Sequence, residues 1–428
     1  MSNYSSMKEK FESLKKYNFW GEKYPTIGYK RDLYTNKIFE SIDNRLIKVL
    51  IGQRRVGKSY ILRQLISRLI DRGVNKKNIL YINKEFADFD FIKDYKDLDK
   101  LINVYREELK PEGKVWLFVD EIQNVEGWEH LINSYSQDYV DSYEVFLSGS
   151  NSKMLSGELA TLLSGRYIEF QIYPFSFVEY IGITNKENVK QSFIDYMESG
   201  GLPELFMLPN EETKRNYISA VKDTVLLRDI IQRHNIKDAK LLEDLFVYVV
   251  NNASNLISIT NIVKYFKSKG RTTTYDTVSN YIGYIEDSFI IHRVERYDIR
   301  GKETLSGNCK YYINDLSFKN YIYPGFGYGV GYKLENLIYL ELRRAGYEVY
   351  VGTLRNKEID FVAKKDDRVI YIQSSYILTD EQTIQREYSP LESIEDNYEK
   401  FVVSLDDIAF PSNKGIKHMQ AWNFSNLL

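Results

Sequence analysis

The stretch Gly52-Gln53-Arg54-Arg55-Val56-Gly57-Lys58-Ser59 has the spacing G-x-x-x-x-G-K-[ST], in which the backbone itself can grip an anion. The glycines let the chain turn so that successive N–H groups point inward at a polyphosphate. A Cβ there would crowd the phosphate or resist a positive φ. Lys58 is placed to reach the β- and γ-phosphates, and Ser59 to put a hydroxyl on Mg²⁺. The expected nucleotide-binding residues are therefore Gly52, Gln53, Arg54, Arg55, Val56, Gly57, Lys58, Ser59 and Tyr60. Some sixty residues on, Val115-Trp116-Leu117-Phe118-Val119-Asp120-Glu121 is an apolar run ending in two carboxylates, the Walker B pattern. Asp120 would hold Mg²⁺, directly or through water, and Glu121 would orient and deprotonate the attacking water. The chemistry described is Mg²⁺-dependent hydrolysis of ATP.

Such a loop works only between a buried strand and a helix, and both are legible. Leu46-Ile47-Lys48-Val49-Leu50-Ile51 is mostly branched and apolar, as in a buried parallel strand. Over 58–72, Ile61, Leu62, Leu65, Ile66 and Leu69 recur at helical spacing, and this helix brings its positive dipole end to the loop. Further strands are expected over 78–83, 115–120, 143–147 and 167–172, with helices over 96–109 and 128–141. Arg31 and Asp32 open a helix expected to pack beside the loop, where a polar residue could touch the base. Strands and helices in alternation imply a doubly wound α/β sheet with ligand at the strand C-termini.

The fourth strand ends in Ser148-Gly149-Ser150-Asn151. Ser148, Ser150 or Asn151 could hydrogen-bond the γ-phosphate or the lytic water, or simply cap a helix. Arg166 is a candidate arginine finger or sensor for transition-state charge, with a structural salt bridge as the alternative.

Four motifs together resemble the prokaryotic AAA-type ATPases that carry a C-terminal domain of unknown function. They are Gly-Gln-Arg-Arg-Val-Gly-Lys-Ser from 52, Phe-Val-Asp-Glu-Ile-Gln from 118, Ser-Gly-Ser-Asn-Ser-Lys-Met-Leu from 148, and the run from Leu163 through Gly165, Arg166 and Pro174 to Phe177. The likeness runs over nearly the whole chain. It implies a P-loop NTPase core of AAA type whose P-loop and Walker B strands are separated by the sensor strand. It also implies a helical lid in which Gly200-Gly201-Leu202-Pro203 brings Pro203 near the adenine. The implied organisation is an ATPase core over 1–180, a helical lid over 181–238, a winged helix-turn-helix over 239–325 and a nuclease-like α/β domain over 326–428. In the lid, Arg228 could reach a nucleotide or lie on a solvated face.

The winged helix is read from helices over 241–250, 258–266 and 274–287, with wing strands over 297–300 and 310–313. Its third helix carries no Lys or Arg, while Lys264, Lys267, Lys269 and Arg271 lie just before it. DNA is an open partner, and packing or protein docking is the other reading. The last region resembles the restriction-endonuclease fold, with Asp360 in the Asp position and Glu335 as a helical acid. Gln373 stands where an acid is usual and Ser375 where Lys is usual, so an inactive, nuclease-like binding module is expected.

Bulk composition excludes several classes. Hydrophobic residues are 43% and charged residues 28%, as in globular proteins, and no apolar run suggests a membrane span. A polar N-terminus and a single cysteine, Cys309, fit a reducing, cytoplasmic location. Four scattered histidines give no zinc spacing. A net charge of −2 gives no global attraction to nucleic acid. The expected ligands are ATP or ADP with Mg²⁺; a protein partner or a second copy of the chain stays open. Two other functions also stay open: a nucleotide-gated nucleic-acid-binding or scaffold protein with little turnover, and a metal-dependent nuclease.

Overall fold

Branched and apolar residues dominate five short runs in the first part of the chain, and each run forms a strand. The computed structural model describes residues 2–150, 163–323, 329–378 and 380–428. It divides into two compact units, Met1–Ile172 and Tyr173–Leu428.

In the first unit, β1 (Ile47–Ile51), β2 (Ile79–Asn83), β3 (Val115–Asp120), β4 (Tyr143–Gly149) and β5 (Tyr167–Gln171) make one sheet in the order β2-β3-β4-β1-β5. Every pairing is parallel. Every residue of β1 to β4 is buried, as a sheet covered by helices on both faces requires. The helices Lys58–Asp71, Tyr95–Leu109 and Trp128–Gln137 follow β1, β2 and β3. The sheet is the α/β fold expected, with the sensor strand β4 between β1 and β3.

The lead-in has a structural task that the sequence does not announce. A helix, Ser2–Leu14, precedes Asn18, whose side chain donates to Tyr81 O (3.0 Å) and accepts from Tyr81 N (2.7 Å). Trp20 Nε1 donates to Ile79 O (2.7 Å). These bonds satisfy backbone groups on the edge strand β2, which would otherwise be open to pairing with another chain.

The second unit carries one eight-stranded sheet in the order β13-β12-β11-β10-β9-β7-β8-β6. Its strands are β6 (Leu256–Ile257), β7 (Ile291–Asp298), β8 (Glu303–Ile313), β9 (Glu348–Leu354), β10 (Lys357–Lys365), β11 (Arg368–Ser375), β12 (Glu399–Ser404) and β13 (Ile416–Gln420). Helices Ala239–Asn251, Ile259–Ser268 and Tyr275–Asp287 precede the β7–β8 hairpin, and Thr274 caps the third by accepting from Thr277 N. Both hairpin strands are longer than expected, and Arg300 lies in the turn rather than in a strand. The sheet also crosses the expected boundary at 325/326. β7 runs parallel to β9, with Arg296, Tyr297 and Asp298 opposite Val351, Gly352 and Thr353. Local periodicity marks the strands on either side of that boundary but not their pairing across it.

Candidate functional site

The site grows from the end of β1. Gly52 has φ +148°, and a Cβ on it would lie 2.3 Å from Ile172 O, so only glycine fits. Gly57 has φ +94° and caps the helix Lys58–Asp71. Between them Arg55 takes φ +70°, a left-handed conformation costing a non-glycine residue about 1 kcal/mol. The first amides of the helix have no intrahelical acceptor and carry its positive dipole end. Lys58 Nζ folds over the loop, donating to Gly52 O (2.9 Å) and Gln53 O (3.1 Å), and lies 3.7 Å from Glu121 Oε1.

A buried arginine braces the loop from outside. Arg31 is 2% exposed, and its Nη1 donates to Val56 O at 2.8 Å. Its backbone N donates to Gln64 Oε1 (3.0 Å), while Gln64 Nε2 donates to Ile27 O and Tyr29 O (2.7 Å each). Arg31 stands at the helix start foreseen for it, but its bond to the loop backbone had no signal in the spacing. Arg54 Nη1 reaches Glu85 Oε1 at 2.5 Å. The half-exposed Tyr60 ring packs on Gly28, where a Cβ would lie 2.6 Å away, and Arg63 stacks over its ring at 4.2 Å.

Parallel pairing brings the ends of β2, β3 and β4 to this loop. Asp120 is fully buried. Its Oδ2 accepts from Tyr81 OH (2.8 Å) and Asn83 Nδ2 (2.9 Å), its Oδ1 accepts from Ser148 Oγ, and the Ser59 hydroxyl also bonds it. Burial, and then the Glu121 charge, raise its carboxyl above the usual range, with these hydrogen bonds pulling the other way. Glu121 sits in the left-handed region at φ 55°. Burial alone would raise its carboxyl, but Lys58, Arg54 and hydrogen bonds from Gln123 and Ser150 hold it below the usual range. Ser150 Oγ donates to Glu121 Oε2 at 3.1 Å, Gln123 Nε2 donates to the same oxygen, and Glu121 N donates to Ser148 Oγ at 3.1 Å. Lys58, Ser59, Asp120, Glu121, Ser148 and Ser150 are thus one cluster, buried except at the half-buried Ser59. Tyr81, Asn83 and Gln123 join it without having been foreseen; a polar residue at the C-terminal end of a core strand is the signal that Asn83 offered. Asn151 lies outside the described residues.

One expected site residue, Arg166, falls elsewhere in the first unit. Arg166 is exposed at the N-terminal start of β5, where its O accepts from Ile47 N at 2.9 Å. The loop lies past the other end of β1, five residues and roughly 17 Å away at about 3.3 Å per residue. Arg166 is therefore no sensor for the phosphates of its own chain. Pro203 belongs to the second unit, where it opens the 3₁₀ helix Pro203–Met207. The glycines before it have a local reason. A Cβ on Gly201 would lie 2.4 Å from Phe175 O, and Gly201 N donates to Asp315 Oδ2 at 2.7 Å.

The second unit holds another buried acid cluster. Glu335 Oε1 accepts from Lys310 Nζ (2.9 Å) and Tyr312 OH (2.6 Å), and Lys310 Nζ also lies 2.8 Å from Glu358 Oε1. Asp360 Oδ2 accepts from Ser374 N (2.8 Å) and Ser374 Oγ (2.7 Å). Gln373 accepts from Asp360 N (3.3 Å) and donates to Glu387 Oε2 (3.0 Å). Burial first, then the Asp360 charge, push the Glu335 carboxyl up to about 8. Burial alone would lower the Lys310 ammonium, but Glu335, Asp360 and Glu358 outweigh it and raise it. A nuclease-like fold implies a divalent cation here, and these residues do not fit one. An ammonium already stands between the carboxylates, and Asp360 is engaged by Ser374. Among the described residues no group of His, Cys, Asp or Glu is arranged to hold a metal. Lys310 lies far from Glu335 in sequence and was not foreseen.

Comparison with known proteins agrees with the geometry of the first site. Residues 44–181 match a sequence profile described as an AAA domain, and 190–326 match a domain of unknown function, DUF8612. An uncharacterized protein of Haemophilus influenzae is 35% identical over 380 residues, covering 87% of this chain and 92% of its own. Uncharacterized protein MJ1544 of Methanocaldococcus jannaschii is 29% identical over 396 residues, covering 85% and 83%. Among solved structures, the Aeropyrum pernix ORC1 protein in complex with DNA aligns with 70% of this chain and 93% of its own, at 14% identity and a TM-score of 0.35. The Thermotoga maritima RuvB Holliday junction branch migration motor aligns with 68% and 89%, at 14% identity and a TM-score of 0.31. Scores this low carry no functional weight. No described helix is long and apolar enough to cross a membrane. With its P-loop and Walker B cluster assembled on the AAA domain, the chain belongs to the family of AAA-domain proteins that includes the Haemophilus influenzae relative.

Proposed function

We propose that this chain binds ATP and hydrolyses it at the cluster between β1, β3 and β4. One observation carries the reading. A P-loop lysine lies 3.7 Å from the second carboxylate of an Asp-Glu pair, while the P-loop serine bonds the first. Ser59 and Asp120 offer only oxygen donors, which suits Mg²⁺, and they would hold it. When bound, that ion neutralises phosphate charge. Lys58 would exchange its bonds to Gly52 O and Gln53 O for phosphate oxygens. Glu121, kept ionised by its neighbours and fixed through Oε2 by Ser150 and Gln123, would orient water and accept its proton. Ser148 bonds both Asp120 and Glu121 N, so it would couple the two acids. A role for Arg166 at a phosphate would need a second copy of the chain.

Nucleotide state has a short route to the rest of the chain. Gly52 packs on Ile172 O, and Ile172 N donates to Ile51 O at 2.7 Å. Ile172 is the last residue of the first unit. A change in the Gly52 peptide would therefore be felt where the chain leaves the ATPase core. In the second unit, the order helix, short strand, helix, helix, hairpin over 239–313 supports a winged-helix module, and the Lys310 cluster supports a nuclease-like region without nuclease chemistry.

The test is turnover of the purified protein with Mg²⁺ and with a chelator, alongside binding of a fluorescent ATP analogue. Metal-dependent phosphate release is expected. Absence of nucleotide binding at millimolar concentration would refute the reading.

A further inference from the structure

Two adjacent turns of the second unit repeat one basic pattern. β7 and β9 are parallel, and Asp298 stands opposite Thr353, so the chain leaves both strands at the same end of the sheet. Ile299 N donates to Thr353 O at 3.0 Å and locks the two exits together. The turn after β7 carries Arg300-Gly301-Lys302, and the turn after β9 carries Arg355-Asn356 with Lys357 opening β10. Neighbouring strands lie about 4.8 Å apart, so the two Arg-x-Lys turns stand side by side.

Between them opens a cleft of about 510 Å³, lined by these four cations over the apolar side chains of Ile299, Leu354 and Ile394. That volume is on the scale of a nucleotide. Ile299 is 8% exposed and belongs to the core under the sheet, so the β7–β8 turn is anchored. Arg300, Lys302 and Arg355 are exposed, and among the described residues none of the three makes an ion pair with an acid. Lys357 is held toward the cleft by Ser389 O (3.1 Å) and Ser393 Oγ (2.8 Å). Glu395 and Asp396 also line the cleft. Asp396 is engaged by Tyr371 OH (2.6 Å) and Tyr398 N (3.1 Å), and Asp298 beneath the turn by Arg300 N (3.0 Å). The lining carries four cations against two acids, an excess of positive charge in a chain whose net charge is −2, and this favours an external anion.

We infer that this cleft binds the phosphodiester backbone of a nucleic acid. The arginine fork matches phosphate oxygens in two-point contact, and the apolar floor accepts a sugar or base face. The site lies within the second unit and does not rest on the ATPase reading.

The test uses the full chain without nucleotide. Fluorescence anisotropy would follow a labelled single-stranded DNA of roughly 20 nucleotides and the duplex of the same sequence across a salt series. Wild type is expected to bind in about 50 mM salt, with log K falling linearly against log salt. The triple variant Arg300→Ala/Lys302→Ala/Arg355→Ala should bind roughly tenfold or more weakly, with a slope shallower by about 2 to 3. Its side chains are exposed, so it should keep the wild-type melting temperature. The control Lys93→Ala/Lys96→Ala/Lys100→Ala, three exposed lysines of the first unit, should keep the wild-type slope. Four outcomes would overturn the proposal: no binding by wild type, an unchanged slope in the cleft variant, an equal loss in both variants, or displacement of DNA by polyglutamate at equal charge, which would point to an acidic protein segment. Because no nucleotide is present, none of them bears on ATP hydrolysis.

Discussion

Two buried lysines stand beside carboxylates in this molecule, and they are used in opposite ways. Lys58 is tied to backbone carbonyls of its own loop and stays 3.7 Å from Glu121. Its charge is only partly compensated, and carbonyls are acceptors that phosphate oxygens can replace. Lys310 lies 2.9 Å from Glu335 and 2.8 Å from Glu358. Its charge is consumed inside the protein. The acids differ too: Glu121 is held below the usual carboxyl range and Glu335 is pushed well above it. A lysine among carbonyls makes an anion site, whereas a lysine among carboxylates closes one.

Four measurements put this contrast at risk, in decreasing size of effect. Lys58→Ala should abolish binding of a fluorescent ATP analogue and lower turnover by on the order of 10³-fold. Retention of wild-type affinity would mean that Lys58 is as structural as Lys310. Glu121→Gln should keep nucleotide affinity while turnover drops by on the order of 10²- to 10⁴-fold. A wild-type rate would remove Glu121 from the role of base. Above about pH 8, where Glu335 is ionised, Lys310→Met should leave that buried acid without its cation and cost about 3–5 kcal/mol in urea unfolding. A loss below about 1 kcal/mol would show that the ammonium is not the lock described. The smallest effect, counted per pH unit, is in pH. With Glu335 titrating at about 8 when folded and near the ordinary glutamate value when unfolded, the unfolded state binds fewer protons between those values. Stability is then greatest below the unfolded value and falls as pH rises toward 8, by up to about 1.4 kcal/mol per pH unit. Asp360, also raised by burial, acts in the same sense. Glu335→Gln should flatten the slope of urea midpoint against pH, and an unchanged slope would place its cause elsewhere.

Part of this architecture is legible in the chain alone. The β1–loop–helix unit and the Asp-Glu end of β3 follow from residues adjacent in the chain, because strand, turn and helix signals are local and the phosphate cradle is made of consecutive amides. Arg166 shows the limit. Its position in the chain suggested reach toward the phosphates, but strand direction puts it at the opposite end of the sheet from the loop. Gln373 and Ser375 were enough to doubt nuclease chemistry, whereas the lysine that occupies the site comes from β8 and was invisible.

The order of residues therefore marked a glycine loop with phosphate-binding spacing, paired acids at the end of a core strand, and a sheet to carry them. Which distant side chains meet was a matter of tertiary structure. It set Ser148 on Asp120, Arg31 on the loop, Lys310 between Glu335 and Glu358, and one Arg-x-Lys turn beside the other. Apolar periodicity says that a strand is buried and which residues share a face, but the neighbour and register of that strand are chosen by packing over the whole sheet.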